Sequence, residues 1–358
     1  MINQAASIAA GGDFSLALST DTTVWKWGSY DARQSSDLTF EPSLVEWLSE
    51  IRLMNAGYVR AAAIDNENLI WAWGNNGDET RTEPVQLIHP DPKTKVVEVG
   101  ISTDEFVCLL EDGTVWEWTT VVWQGPVGKR QAWESVRPKR VPQLDQIKTI
   151  SAGVGHSLAI KSDGTVWGWG WNRQGELASE HLHRIDNRTG MGDPFPPMHI
   201  DGISEIIAVS AVSGASIALK EDGTVWAWGG NRHGQLGLEG KKPRFTPTHI
   251  ASLESIVQIS GGIGDHVFAI DRDGLTWGWG KNNCGQLGNP EYREEKANRP
   301  ILCFDKRFQS ISSGIDHTLA LDSHGQVWAW GSNGYGQIGT GDKEGSNAPT
   351  HVNIGYVF

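Results

Sequence analysis

Three histidines, His156, His266 and His317, occupy matching places, each opening a short run of Ser, Thr or apolar residues. They read either as polar caps that tie a turn to neighbouring backbone or as a ring of functional bases. The capping reading is preferred, because no nucleophile motif accompanies them. His181-x-His183, with His199 further on, resembles part of a zinc ligand set, but no Cys or carboxylate at recognised spacing completes it. Cys284 stands in a glycine-containing loop without an adjacent base that would activate a thiol. Asp-Gly pairs at 112, 163, 222 and 273 could open calcium loops, yet none continues into ligand spacing with a terminal Glu. They read as hairpin turns, where Asp-Gly supplies the positive φ such turns demand. The chain also lacks G-x-S-x-G, H-E-x-x-H, Walker and Rossmann signatures. The expectation is a protein with no catalytic residue, no metal and no cofactor, and therefore not an enzyme.

The residues that would have to be positioned sit on a repeated unit. Asp163-Gly164-Thr165-Val166-Trp167-Gly168-Trp169-Gly170 is a tight turn feeding a strand with two tryptophans two residues apart. The pair recurs as Trp25/Trp27, Trp71/Trp73, Trp116/Trp118, Trp167/Trp169, Trp226/Trp228, Trp277/Trp279 and Trp328/Trp330, in steps of 46, 45, 51, 59, 51 and 51 residues. Seven copies of a unit of about 50 residues, made of short strands and glycine turns, predict a β-propeller with one blade per repeat. Residues i and i+2 of a strand face the same side, so each pair projects as a slab toward a neighbouring blade. Burying one indole ring removes about 200 Å² from water, worth roughly 5 kcal/mol before entropy is counted. All fourteen paired residues are therefore assigned to the interblade core.

Composition narrows the class. A closed ring of repeats is one domain whatever its length, so residues 1–358 form a single all-β unit, with approximate repeats 5–50, 51–92, 93–145, 146–202, 203–253, 254–304 and 305–358. Hydrophobic residues make up 39% and no run approaches a membrane span. No basic segment and apolar core precede the first repeat, so a conventional signal peptide is not expected. Cys108, Cys284 and Cys303 are odd in number and scattered, which argues against disulfides and for a reducing, cytoplasmic setting. The net charge of −13 opposes nucleic-acid phosphates, so no nucleic-acid partner is expected. The basic segment Lys129, Arg130, Arg137, Lys139, Arg140, flanked by Trp123 and Trp133, reads as a solvated or protein-contacting loop.

The last repeat shows the unit in full. Gln309–Ser312 forms an inner strand A, His317–Leu321 strand B, Gln326–Trp330 strand C, and a glycine loop leads to strand D near Thr350–Ile354, with Pro349 at its edge. The pattern G-x-x-H-[ST]-L-A-[LI], then D-G-x-V-W-x-W-G, then N-x-x-G-[QE]-[LI], then P-x-x-[VI] resembles the repeat of the regulator-of-chromosome-condensation family. It is closest at 153–177, 214–237, 262–288 and 314–339. The resemblance implies a seven-bladed β-propeller of four-stranded antiparallel blades. The first three repeats depart from it: G-Q-L is missing after Trp27-Gly28, Arg60 stands where the His would be, and 121–140 replaces the N-x-x-G-Q-L loop of the third. Insertions at 178–197 and 289–299 lengthen the fourth and sixth repeats.

The function expected first is a protein-interaction scaffold, a monomeric ring with a protein partner and no membrane association. The resemblance implies, as an alternative, guanine-nucleotide exchange on a Ran-like small GTPase, although no family catalytic residue aligns onto a position here. Inhibition of a secreted enzyme is a lesser alternative, opposed by the missing signal peptide. Ultraviolet sensing needs tryptophans in the turn before strand B; Asp13, Tyr58, Thr103, Val154, Ser213, Gly264 and Ile315 stand there, and that reading is set aside. Antiparallel alternation puts the A–B and C–D turns at one end of the ring and the short B–C hairpins at the other. The variable end is expected to bind, through Tyr58, Arg60, Trp123, Trp171, Arg173, Arg232, His233, Asp265, His266, Asp316, His317 and Tyr335. Aromatic and Arg residues are the usual interface anchors. Asn75 and Asn282 are read as loop-shaping.

Overall fold

A computed structural model describes the chain except residues 1–3, 31–37, 76–79, 103–104, 120, 123–128, 131–135, 180–193, 305 and 356–358. Seven four-stranded antiparallel sheets follow one another around a ring, and no helix occurs among the described residues. Each blade is contiguous in sequence, with strands A to D in order from the axis outward. Blade 1 runs from strand A at Ala5–Ala10 to strand D at Thr39–Leu44, and blade 2 from Ile51–Ala56 to Thr80–Gln86. Blade 3 runs from Val96–Ile101 to Lys139–Arg140, and blade 4 from Ile147–Ala152 to Phe195–His199. Blade 5 spans Ile206–Val212 to Arg244–His249, blade 6 Ile256–Gly261 to Lys296–Phe304, and blade 7 Ser310–Ser313 to Ser346–Val352.

The tryptophan slabs hold, with a division of labour inside each pair. The second member (Trp27, Trp73, Trp118, Trp169, Trp228, Trp279, Trp330) is buried, whereas the first is only half-buried. Each buried ring enters the core against the preceding blade: Trp228 packs with Leu158, Leu177 and Ile200 of blade 4, and Trp27 with Leu319 and Ile338 of blade 7. The half-buried member lies nearer the hairpin end, and in every blade but the fourth its indole N–H is held by its own turn. Trp226 donates to Thr224 Oγ1 at 3.1 Å and Trp328 to Asp322 Oδ2 at 2.9 Å. In blades 4, 5 and 7 strand D covers it with an imidazole, His199 on Trp167, His249 on Trp226 and His351 on Trp328.

The Asp-Gly turns are hairpins of three-residue form. At Lys161–Thr165 the amide of Gly164 reaches the carbonyl of Lys161, Lys161 pairs back to Thr165, and only Gly164 has a positive φ. This is a type I turn followed by a left-handed residue, which twists the strands correctly without two positive φ values. Asp163 Oδ1 accepts from the amide and hydroxyl of Thr165, which closes the turn on itself. In blades 1 and 2 Thr22 and Asn68 adopt the left-handed conformation that glycine takes elsewhere.

One sequence expectation about the last blade changes. Strand D begins at Ser346 and includes Pro349, because the ladder to strand C starts at Gly331↔Ser346 and the proline lies on the outermost strand, where an N–H is dispensable. Closure is side by side, with no strand crossing between blades 1 and 7. The seam is stitched by Ala5 N–H to Gly325 O, Ala10 N–H to Ser312 Oγ and Gly341 N–H to Phe40 O. Val352 and Ile354 of the tail are buried in the core that holds Trp27.

Candidate partner-binding face

The C–D loops are built by one repeated clip. Asn231, Asn282 and Asn333 each accept through Oδ1 from the amide five residues on and donate through Nδ2 to carbonyls further along the loop. The glutamine of the same loop then ties one blade to the next. The backbone carbonyl of Gln286 accepts from Trp330 Nε1 at 2.8 Å and from Thr318 Oγ1 at 2.9 Å, while its Nε2 donates to Asp316 Oδ1 at 3.0 Å. Gln337 repeats this toward Trp27, Ser15 and Asp13, and Gln235 toward Trp279 and Asp265. Glu176 supplies the same carbonyl to Trp228 and Ser216 in blade 4. There Gly214 takes the place of the aspartate, so no carboxylate confronts another.

The histidines belong to this clip. His156 Nε2 lies 2.9 Å from Ser216 Oγ, His266 from Thr318 Oγ1 and His317 from Ser15 Oγ. Each of those hydroxyls spends its proton on a loop carbonyl, so the histidine must donate from Nε2 and act as a neutral cap. Burial holds His156 down to about 4 and His266 and His317 down to about 3. A hydroxyl that donates to a carbonyl beside a buried, neutral imidazole donor is no activated nucleophile. His266 and His317 are removed from the expected binding face for the same reason: their side chains are fully buried. Arg60, at the equivalent place in blade 2, is buried too, with Nε donating to Asn75 O and its guanidinium over the Phe106 ring.

The expected face residues that do reach solvent fall into two groups. Tyr58, Arg232 and Tyr335 are exposed, and Arg173 stacks on half-buried Trp171 with its guanidinium 4.5 Å from the ring. The second group is a line of half-buried carboxylates over consecutive seams. Asp316 holds Lys281 Nζ at 2.8 Å, and Asp265 has His233 Nε2 at 3.9 Å. Burial raises Asp265, and Asp13 is pushed up to about 6 by burial and then by the charge of Asp316. Trp123 lies outside the described residues.

The zinc-like trio does not assemble among the described residues. His199 hydrogen-bonds Asp201 at 2.7 Å and packs against Trp167, while His181 and His183 lie outside the described residues. No group of metal-competent side chains occurs among the described residues. Cys284 is no poised thiolate, because burial and then Asp316 raise its thiol. Sequence reasoning missed Lys281 and the interblade role of Gln235, Gln286 and Gln337. The signal was there: a Gln or Glu at one fixed place after Asn-x-x-Gly in four repeats.

Comparison with known proteins agrees with the ring. The family model described as RCC1-like domain matches residues 36–357. The chain is 27% identical over 324 residues to the ultraviolet-B receptor UVR8 of Arabidopsis thaliana, covering 85% of this chain and 70% of the relative. It is 34% identical over 227 residues to the probable E3 ubiquitin-protein ligase HERC3 of Homo sapiens, covering 60% of this chain but 20% of that relative. Among solved structures, Prp20p of Saccharomyces cerevisiae, characterised with its binding to Gsp1p and histones, superposes with a TM-score of 0.78 at 20% identity over 98% of this chain and 87% of its own. Human WBSCR16 gives 0.74 at 20% identity, with 91% and 88% covered. Both structural likenesses speak for the fold.

Proposed function

The chain belongs to the RCC1-like domain family, and from that premise we propose that it is a non-catalytic ring, monomeric and cytoplasmic, that docks a protein partner on its A–B and C–D loops. The observation that supports this reading is the contrast between the two ends. At the loop end, exposed Arg232 and Tyr335 and the Trp171/Arg173 stack stand on C–D loops clipped by Asn with Gln or Glu, so anchors are presented at little cost in ordering entropy, and exposed Tyr58 stands beside them on the A–B turn of blade 2. The opposite end offers short hairpins closed on themselves. In an affinity capture with the intact chain, Trp171→Ala, Arg173→Glu, Arg232→Glu and Tyr335→Ala together should abolish retention of the partner while the melting temperature stays put. Survival of binding in that variant, with loss when the Asp163 and Asp222 hairpins are altered, would reverse the assignment.

A second reading, nucleotide exchange on a Ran-like small GTPase, draws on the likeness to Prp20p, which binds Gsp1p. Release of a fluorescent guanine nucleotide from such a GTPase, with and without the ring, separates the two. Acceleration that the four-residue variant loses supports exchange; unchanged release at saturating ring leaves the scaffold reading.

A further inference from the structure

Three consecutive seams carry the same polar contact over the loop end of the ring. Gln235 donates to Asp265 at 3.1 Å between blades 5 and 6, Gln286 to Asp316 at 3.0 Å between blades 6 and 7, and Gln337 to Asp13 at 3.3 Å between blades 7 and 1. The first two carboxylates have cations. Lys281 sits on Asp316 and also bears on Asp265, which His233 approaches from its own loop. At the third seam both cationic places are lost. Ser332 stands where Lys281 stands, since each gives its amide to the carbonyl of the aspartate in its own A–B turn, and Tyr335 stands where His233 stands, since each gives its amide to the clip glutamine. Among the described residues, what faces Asp13 from blade 7 is Gln337, the like charge of Asp316, and His317 buried in its neutral form. From blade 2 the neighbouring contact is the carbonyl of Tyr58, which accepts from Gly12.

This seam is also the one across which the chain is not continuous. Elsewhere a blade leads directly into the next, whereas blades 7 and 1 are joined only by side-to-side contacts. A repulsive carboxylate pair therefore sits where nothing covalent limits separation of the blades. We propose that the closing seam between blades 7 and 1 is a proton-operated latch, in which uptake of a proton by Asp13 in mildly acidic medium removes the cost of burying its charge, and its repulsion toward Asp316, and so tightens ring closure. The sign follows from linkage. Burial and Asp316 raise the carboxyl in the closed ring to about 6, above the ordinary 3.8, so closure binds a proton between those values and is favoured as pH falls through them. Ordering or loosening this seam bears on the A–B turn of blade 1 and the C–D loop of blade 7, which carries Tyr335.

Hydrogen exchange on the full chain tests the latch at a single amide. Ala10 N–H bonds to Ser312 Oγ across the seam, and Ala211 N–H bonds to Ser151 Oγ in the same way between blades 4 and 5, where Gly214 replaces the aspartate. Wild type and Asp13→Asn share intrinsic exchange rates and the His317 contribution, so their ratio of protection at Ala10 isolates Asp13. At pH 7.5 Asp13→Asn should be protected more than wild type by roughly a hundredfold, the ratio falling about tenfold by pH 5 and reaching one only below the ordinary 3.8, with Ala211 alike in both chains throughout. A ratio at Ala10 that is the same at both pH values, or below one at pH 7.5, overturns the latch. Asp316→Asn provides a second route: it should also raise protection at Ala10 at pH 7.5, and no change there counts equally against the proposal.

Discussion

Blades 4 to 7 and blades 1 to 3 solve one packing problem by different chemistry. In both arcs an indole ring closes the wedge between blades and its N–H must find an acceptor, since a buried donor left unpaired costs about 1–3 kcal/mol. From blade 4 onward the acceptor is supplied by the repeat itself: the carbonyls of Glu176, Gln235, Gln286 and Gln337 receive Trp228, Trp279, Trp330 and Trp27. Where the repeat departs from its pattern, acceptors differ from seam to seam. Trp73 donates to the Tyr30 hydroxyl at 2.6 Å, Trp118 to the carbonyl of Ile88 at 3.0 Å, and Trp169 Nε1 has no hydrogen-bond partner among the described residues. The ring tolerates this because apolar burial supplies most of the stabilisation, and the hydrogen bond adds to it.

The largest effect that can test this difference is removal of the ring. Trp228→Ala should destabilise the protein by roughly 3–5 kcal/mol in denaturant melts through the cavity it leaves and the loss of its bond to Glu176 O. Trp169→Ala should cost about 1 kcal/mol less, because no hydrogen bond is lost with that ring. Equal losses at the two positions would show that the hydrogen bond contributes nothing measurable to either seam.

The same contrast explains what could be read from sequence. The Trp-x-Trp spacing revealed seven blades because a slab between blades is demanded by geometry in every repeat, regular or not. The Asp-Gly turns were legible because backbone conformation chooses glycine locally. The face was only partly legible. Arg60 reads as a surface cation, yet it occupies the buried place of His156, and position in the repeat decides burial before charge does. The histidines left two readings open, and only the hydroxyl partner one blade away, 60 residues distant for His156 and Ser216, decides for the cap. The glutamine clip crosses blades in the same way, so no single repeat displays its purpose.

Acid sharpens the comparison by acting on the regular arc. His156, His266 and His317 lie at its seams with blades 5, 7 and 1, while Phe14, Arg60 and Glu105 hold the corresponding places in blades 1 to 3. Burial lowers these three histidines in the fold, to about 4, 3 and 3. Unfolded histidine takes up a proton below about 6.5, so their contribution is intact above that value and is lost as pH falls toward the folded values. Each should cost about 2 kcal/mol at pH 5 relative to pH 7.5. Replacing one, as in His266→Gln, should flatten the dependence of the urea midpoint on pH by one proton. A slope unchanged in that variant would mean the histidine is already protonated in the fold.

The smallest effect is the most discriminating, because it touches one atom. Acceptors in the regular arc are main-chain carbonyls, which no substitution can delete, whereas Trp73 depends on a phenol oxygen from blade 1. Tyr30→Phe keeps the ring that packs against Phe14 at 4.5 Å and removes only the acceptor, leaving a fully buried indole N–H without its partner. The expected loss is about 1–2 kcal/mol in a denaturant melt, with no change in the slope of the transition. In the double variant Tyr30→Phe/Trp73→Phe the donor is gone as well, so the extra cost of losing the hydroxyl should shrink to near zero against Trp73→Phe alone. If Tyr30→Phe costs as much on the Trp73→Phe background as it does in wild type, the phenol stabilises blade 1 by other contacts, and the blade 1–2 seam is held by ring packing alone.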